Sequence, residues 1–401
     1  MKNHIFTGFG FGPIQAGLFV NEAFKSGNFS RIVISEIDQK LVDAVRANNG
    51  CYYINVAKSN GIETFKIEGI EIYNPSNAQD RNEIIKALLQ STELCTSLPS
   101  VNFFDKGENS VAQLITAGLK SNKKKVIIYT AENNNHAAEI LEQKTGSFKN
   151  AQFLNTVIGK MSQVVVDKDE IQKKNIKTIA PGIDRAFLVE EFNKILVTKC
   201  HFSDFKPGIE VFIEKADLLP FEEAKLYGHN AIHALLAYLG AQKGYKKMAE
   251  LKNDKAIMQT AKNAFINESG SALIKKYAHL KDQLFTQSGY KAYAEDLLER
   301  MTNPYLDDTI ERAARDPERK LGINDRIIGT MRLVLGVGIE PVDMAKGAVA
   351  GLIFLMNNIN EEINSIKLLT VAQNLWQNTD DEYYLKLINL IKENYSSIIN
   401  L

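Results

Sequence analysis

Short β-branched and apolar runs alternate with amphipathic stretches through the first part of the chain. His4-Ile-Phe-Thr, Arg31-Ile-Val-Ile-Ser, Glu93-Leu-Cys-Thr-Ser and Lys125-Val-Ile-Ile-Tyr are bounded by Gly, Asn or Ser and predict strands. Helical periodicity lies between them, at Ala16 to Lys25, Lys40 to Asn48, Asp80 to Leu89 and Val111 to Lys120. Strand and helix in alternation predict an α/β fold with a doubly wound parallel sheet. From about Phe187 strand signals nearly vanish, apart from a possible hairpin arm at Gly208 to Glu214. Long amphipathic helices take over: Phe221 to Leu239, Lys255 to Tyr277, Gly289 to Met301, Leu306 to Arg315, Asp325 to Leu335, Pro341 to Met356 and Asp380 to Ser397. The polar, lysine-rich stretch from Asp167 to Pro181 places a boundary just after it, giving domains at 1–186 and 187–401.

Gly8-Phe-Gly10-Phe-Gly12-Pro-Ile-Gln15-Ala-Gly17 follows the first strand and opens a helix, the context in which a glycine-rich turn receives a dinucleotide pyrophosphate. Two registers compete. Gly8-x-Gly10 puts Pro13 at the third glycine position and Gly10-x-Gly12 puts Gln15 there, so neither is unbroken. The second register is preferred because Gly17 then serves close helix packing. It assigns Gly10, Phe11, Gly12, Pro13, Ile14 and Gln15 to the cofactor, with Thr96 at the end of the third predicted strand. Glu36 ends the second strand at the separation where a carboxylate accepts from the adenosine ribose and repels a 2′-phosphate, which favours NAD. Asp38 could share that role or cap the next helix.

In Leu219 to Gly240, Pro220 suits a helix start and Gly240 a helix end, and Phe221, Ala224, Ile232, Leu235, Leu236 and Leu239 form an apolar stripe. At about 100° per residue, Lys225, Asn230 and His233 share an arc beside it. A partly buried lysine can shuttle a proton at a carbonyl or alcohol, and Asn and His supply donors to the oxygen. Each residue alone reads more simply as a solvated flank; the combination points to oxidoreduction.

Lys225-x4-Asn230-x2-His233 after a Rossmann-type domain resembles the motif of the polyol-specific long-chain dehydrogenases, the mannitol dehydrogenase family. Glu268-Ser-Gly-x4-Ile-Lys-Lys-Tyr277, the run from Asn303 through Arg312, Arg315 and Arg319 to Arg326, and Thr130-Ala-Glu132-Asn133 are similar to that family in order and spacing. The resemblance implies Lys225 as general acid/base, Asn230 and Asn133 as donors to the reacting oxygen, His233 as an orienting donor, Arg312 as a substrate contact, and no metal. It implies hydride transfer between NAD and a sugar alcohol phosphate, D-mannitol 1-phosphate giving D-fructose 6-phosphate. A hexuronate reductase, a dehydrogenase of an unphosphorylated polyol, or a dinucleotide sensor without chemistry are the other readings. Arg315, three residues after Arg312 and so on the same helical face, could form with it a fork for the phosphate; a cationic helix end paired with Asp307, Asp308 or Asp316 is an equal alternative. The turn departs from the family pattern in lacking its third glycine, Asn and Arg.

Composition narrows the partners. The 401 residues are 45% hydrophobic and 24% charged, with 48 basic against 48 acidic side chains, so no polyanion footprint exists and neither nucleic acid nor an anionic membrane is expected. Small phosphates can still be held locally. Cys51, Cys95 and Cys200 are too scattered for a disulfide framework or metal pair. With no leader pattern and no apolar run of membrane-spanning length, a cytoplasmic location is expected.

Overall fold

A computed structural model describes residues 4–377 and 382–400. The chain forms two compact units, Met1–Leu219 and Pro220–Leu401. The first unit carries strands β1 (His4–Phe9), β2 (Phe29–Ser35), β3 (Tyr52–Ala57), β4 (Ile62–Ile67), β5 (Ile70–Tyr73), β6 (Glu93–Thr96), β7 (Val126–Thr130), β8 (Ala151–Val157), β9 (Ser162–Val165), β10 (Ala186–Glu190), β11 (Leu196–Thr198) and β12 (Ile213–Lys215). The main sheet runs β12-β11-β8-β7-β6-β1-β2-β5. Its neighbours pair in parallel from β8 to β5, and the strand order reverses beside β1, as in a doubly wound nucleotide-binding sheet. The expected fold class is met: a Rossmann-type sheet first, helices after it.

Both faces of this sheet are covered, which is why its strands read as continuous apolar runs rather than alternating ones. Phe6, Phe9, Val33, Ile34, Ile127 and Ile128 are all inaccessible. Parallel register brings Phe9 opposite Thr96 and Thr96 opposite Thr130. The turns leaving β1, β6 and β7 therefore emerge together at the carboxyl edge.

A second sheet, β4-β3-β10-β9, is absent from the pattern read above. Ile62–Ile67 mixes apolar, polar and charged residues and is largely unburied, and β9 and β10 are separated by the lysine-rich stretch that precedes the expected boundary. That stretch instead forms a short helix, Lys168–Lys173, capped by Asp167 within the first unit. The division between units falls at Leu219, not near residue 187, because β10 still belongs to the second sheet and β11 and β12 to the main sheet, both within the first unit. The expected hairpin arm at Gly208 to Glu214 is reduced to β12, which pairs in parallel with β11.

Among the described residues the second unit is helical. Its longest helix, Val342–Asn358, is buried along most of its length and packs closely on the helix Ala231–Gln242. A Cβ on Gly347 would come within 2.8 Å of Leu235 Cγ and one on Gly351 within 2.9 Å of Tyr238 Cδ2, so these glycines set the approach. Glu268 caps the long helix through Asp343 N–H at 2.7 Å and Met344 N–H at 2.9 Å; burial pushes its carboxyl up to about 7. Gly240 does not end its helix, which continues to Gln242; a Cβ there would meet Ile310 Cδ1 at 2.8 Å. The helix Ser365–Trp376 was not anticipated, and the first two residues of the expected Asp380 to Ser397 helix lie outside the described residues, the helix itself being Tyr384–Ile399. No described helix is long and apolar enough to cross a membrane.

Candidate active site

The glycine turn begins at Gly10. Gly8 lies inside β1, so the turn itself holds Gly10 and Gly12. Gly10 has φ +82, and a Cβ there would stand 2.7 Å from Ser97 O, so conformation and space both require glycine. Nothing lies within 4 Å of a Cβ at Gly12, leaving the turn open on that side. Glu36 is bound to the turn: its Oε2 accepts Phe11 N–H at 2.7 Å, and its Oε1 accepts Ile37 and Asp38 N–H at 2.8 and 2.9 Å. Asp38 is otherwise occupied, capping the helix Gln39–Ala47 through Leu41 N–H and pairing with Arg185. Of the two carboxylates, Glu36 is the one at the turn.

The missing third glycine is exchanged rather than lost. Gln15 is fully buried, and its side chain occupies the space above β1 that Gly8 leaves empty; a Cβ on Gly8 would fall 1.7 Å from Gln15 Nε2. Gln15 opens a π-helix, Gln15–Val20, with wide i→i+5 turns, and Gly17 meets Val189 of β10, where a Cβ would approach Cγ1 to 2.6 Å. Thr96 is buried, with its hydroxyl donating to Glu132 Oε2 at 2.9 Å. Asn133 follows Glu132 and is exposed.

In the second unit, the helix bearing the Lys-Asn-His motif is not a regular α-helix. Leu219–Glu223 and Ala231–Gln242 are α-helical, but Ala224–Asn230 between them is a π-helix. With i→i+5 hydrogen bonding, residues five apart fall on one face, and Lys225 and Asn230 are five apart. The wide turn is braced. Tyr227 O accepts from Ser269 Oγ at 2.8 Å and Thr330 Oγ1 at 3.2 Å, and Gly228 and Gly329 give room to Tyr290 and Tyr227. Burial, followed by the nearby charge of Arg326, lowers Lys225 to about 8 against a smaller opposing effect of Glu222.

His233 and Arg312 meet at Asp308. Asp308 Oδ2 lies 2.9 Å from His233 Nε2, and its Oδ1 accepts from Arg312 Nε at 2.7 Å. The carboxylate is 2% exposed. Burial alone would raise it, but the bond and charge of His233 and then of Arg312 hold it well below the usual carboxylate range. Arg315 stands apart. The helix Ile310–Ala314 ends before it, Arg315 has ψ 158, and its side chain is exposed, so the two arginines do not share a helical face.

The region 217–392 matches the mannitol dehydrogenase C-terminal domain. The chain is 30% identical over 368 residues to the mannitol-1-phosphate 5-dehydrogenase of Buchnera aphidicola subsp. Acyrthosiphon pisum (strain Tuc7), covering 90% of this chain and 88% of that relative. The chain belongs to the mannitol dehydrogenase family. It is also 28% identical to the mannitol-1-phosphate 5-dehydrogenase of Lactiplantibacillus plantarum over 81% of this chain and 80% of the relative. Among solved structures it shares the fold of a D-sorbitol dehydrogenase in substrate-free form, with TM-score 0.78 at 14% identity over 98% and 92% of the chains. It also shares the fold of the Pseudomonas fluorescens mannitol 2-dehydrogenase, with TM-score 0.69 at 15% identity over 99% and 92%. The protein is thus an oxidoreductase of the mannitol dehydrogenase family.

Of the three acidic partners that the sequence offers Arg312 and Arg315, Asp308 is the one that pairs with Arg312, at an i,i+4 interval, and its second bond, to His233, has no sequence signal. Lys320 is buried with Nζ donating to Ala313 O at 2.7 Å, and burial, with the charges of Arg326 and Arg319, lowers it to about 8. Arg326 donates through Nε to Asp325 Oδ1 at 2.8 Å.

Two substitutions test this geometry. Gly8→Ala is expected to lower stability by about 1–3 kcal/mol through overpacking against Gln15, and to lose most of that effect in a Gln15→Ala background; thermal unfolding of the four proteins measures the coupling, and equal losses in both backgrounds would contradict it. Asp308→Asn leaves His233 and Arg312 without their shared anion, a loss of order 3 kcal/mol at pH 7. Because the folded carboxylate titrates below its unfolded value near 4, its contribution is complete above that pH and disappears as pH falls further. The difference in melting temperature between wild type and Asp308→Asn should therefore shrink between pH 5 and pH 2.

Proposed function

We propose that this enzyme catalyses reversible hydride transfer between NAD and D-mannitol 1-phosphate, giving D-fructose 6-phosphate. The observation that carries the reading is Lys225, half-buried in the wide turn, lowered to about 8 and set one π turn from Asn230. At that value an appreciable fraction is neutral near physiological pH, so the amine can accept a proton from an alcohol and return it to an alkoxide. In the oxidative direction Lys225 takes the hydroxyl proton, and Asn230 and Asn133 donate to the oxygen as charge develops. His233, held by Asp308, orients the substrate.

The residues at the carboxyl edge of the sheet fit NAD: an open turn at Gly12 and the Glu36 carboxylate bound to the turn, which disfavours a 2′-phosphate. When bound, the cofactor supplies the hydride acceptor. A phosphorylated substrate is supported by the names of the relatives at 28–30% identity and by the cations of the second unit. Lys320 and Arg326 are largely buried, and Arg315 and Arg319 are exposed. Arg312 contributes its remaining guanidinium edge, the other being held by Asp308. The free thiols of Cys51, Cys95 and Cys200 suit a cytoplasmic enzyme.

A hexuronate carboxylate is the other anion that these cations would suit. Oxidation of NADH followed at 340 nm with fructose 6-phosphate, fructose, fructuronate and tagaturonate should show the highest kcat/KM for fructose 6-phosphate. A preference for either hexuronate would replace the phosphate reading, and no turnover with any would favour a dinucleotide sensor. Lys225→Ala should lower kcat by about 10²–10⁴-fold while NADH still binds; retained turnover would remove Lys225 from the mechanism.

A further inference from the structure

Glu132 is 4% exposed and sits between β7 and Asn133, yet it has no part in the chemistry described above. Its carboxylate spans the ends of two strands. Oε2 accepts from the Thr96 hydroxyl at 2.9 Å, at the last residue of β6, and Oε1 accepts from Leu98 N–H at 2.8 Å. Ala131 N–H, one residue before Glu132, donates to Thr96 O at 2.9 Å. Ser97 is thereby fixed from both sides.

Ser97 and Leu98 form the wall on which the glycine turn rests. Ser97 O would be 2.7 Å from a Cβ on Gly10 and Leu98 Cδ2 would be 3.2 Å from it, while Ser97 N–H donates to Phe9 O at 3.0 Å. One buried carboxylate thus links the turns leaving β1, β6 and β7 at the carboxyl edge. Backbone pairing already closes the strands, so a carboxylate placed here, where desolvation disfavours its charge and raises it to about 7, is an expensive way to hold a sheet together.

We propose that Glu132 is a positioning residue for the cofactor: it holds the Thr96–Leu98 wall, and through it Gly10, in the conformation that receives the dinucleotide. The inference rests on the reading of this edge as the NAD site. Glutamine at 132 keeps an acceptor for Leu98 N–H and can pair with the Thr96 hydroxyl, which rotates to accept, so it should preserve the wall. Alanine removes both contacts.

The test is titration of NADH, read by energy transfer from protein fluorescence, into wild type, Glu132→Ala, Glu132→Gln and Thr96→Val. Wild type should bind NADH. Glu132→Ala should weaken binding about tenfold, as expected for two lost bonds to a buried carboxylate, and raise KM for NAD while KM for the sugar substrate stays within about twofold. Glu132→Gln should remain within about twofold of wild type in all three quantities. Thr96→Val removes one contact with the carboxylate in place and should weaken NADH binding by about threefold, which reads the same link if Glu132→Ala does not fold. Wild-type affinity in both Glu132→Ala and Thr96→Val would overturn the inference, as would a loss in Glu132→Gln equal to that in Glu132→Ala or a rise in both KM values together. Failure of wild type to bind NADH would overturn the cofactor reading beneath it.

Discussion

Ala224–Asn230 is a π-helix, whose backbone bonds span five residues instead of four, and the proposed chemistry of the second unit depends on that widening. At 100° per residue Lys225 and Asn230 would stand about 140° apart, at the two ends of their arc; the π turn narrows that separation. Such a turn is seldom stable unaided, and here Tyr227 O is satisfied by two hydroxyls, Ser269 and Thr330, from separate helical elements. Gly228 supplies the space in which Tyr290 and Phe265 pack against it. Ser269 belongs to a second π stretch, Ala264–Gly270, so the two widened segments support one another.

Burial acts differently at the two charged centres of this unit. At Lys225 burial, with the charge of Arg326, outweighs the opposing effect of Glu222, and the ammonium form is disfavoured. At Asp308 burial is outweighed by His233 and Arg312, and the carboxylate stays ionised. The same physical cost yields a lowered lysine in one case and an ionised carboxylate in the other, decided by how strongly opposite charge offsets burial.

The sequence was readable where one element has one environment. Arg31-Ile-Val-Ile-Ser is buried on both faces and shows it; the parallel core and the place of Glu36 followed from such runs. The second sheet was hidden because Ile62–Ile67 mixes charged and apolar residues at the surface. A π turn shifts hydrogen bonding by one residue without changing composition, so the motif marked Lys225, Asn230 and His233 while the assumed 100° geometry was wrong for the first two. The shared helical face of Arg312 and Arg315 is lost at a signal that the sequence carries: Pro317 disfavours helix in the residue before it, and the helix ends at Ala314, with Asp316 in the left-handed region. Gln15 could be understood only beside Gly8, since the space it fills lies on a neighbouring strand.

The central claim is that desolvation in the widened turn makes Lys225 a proton carrier near neutral pH. Titration of the Lys225 side chain by NMR of selectively labelled lysine, assigned with Lys225→Ala, tests it most directly. The account predicts a midpoint near 8; a midpoint at the ordinary lysine value, about 10.4, would contradict it.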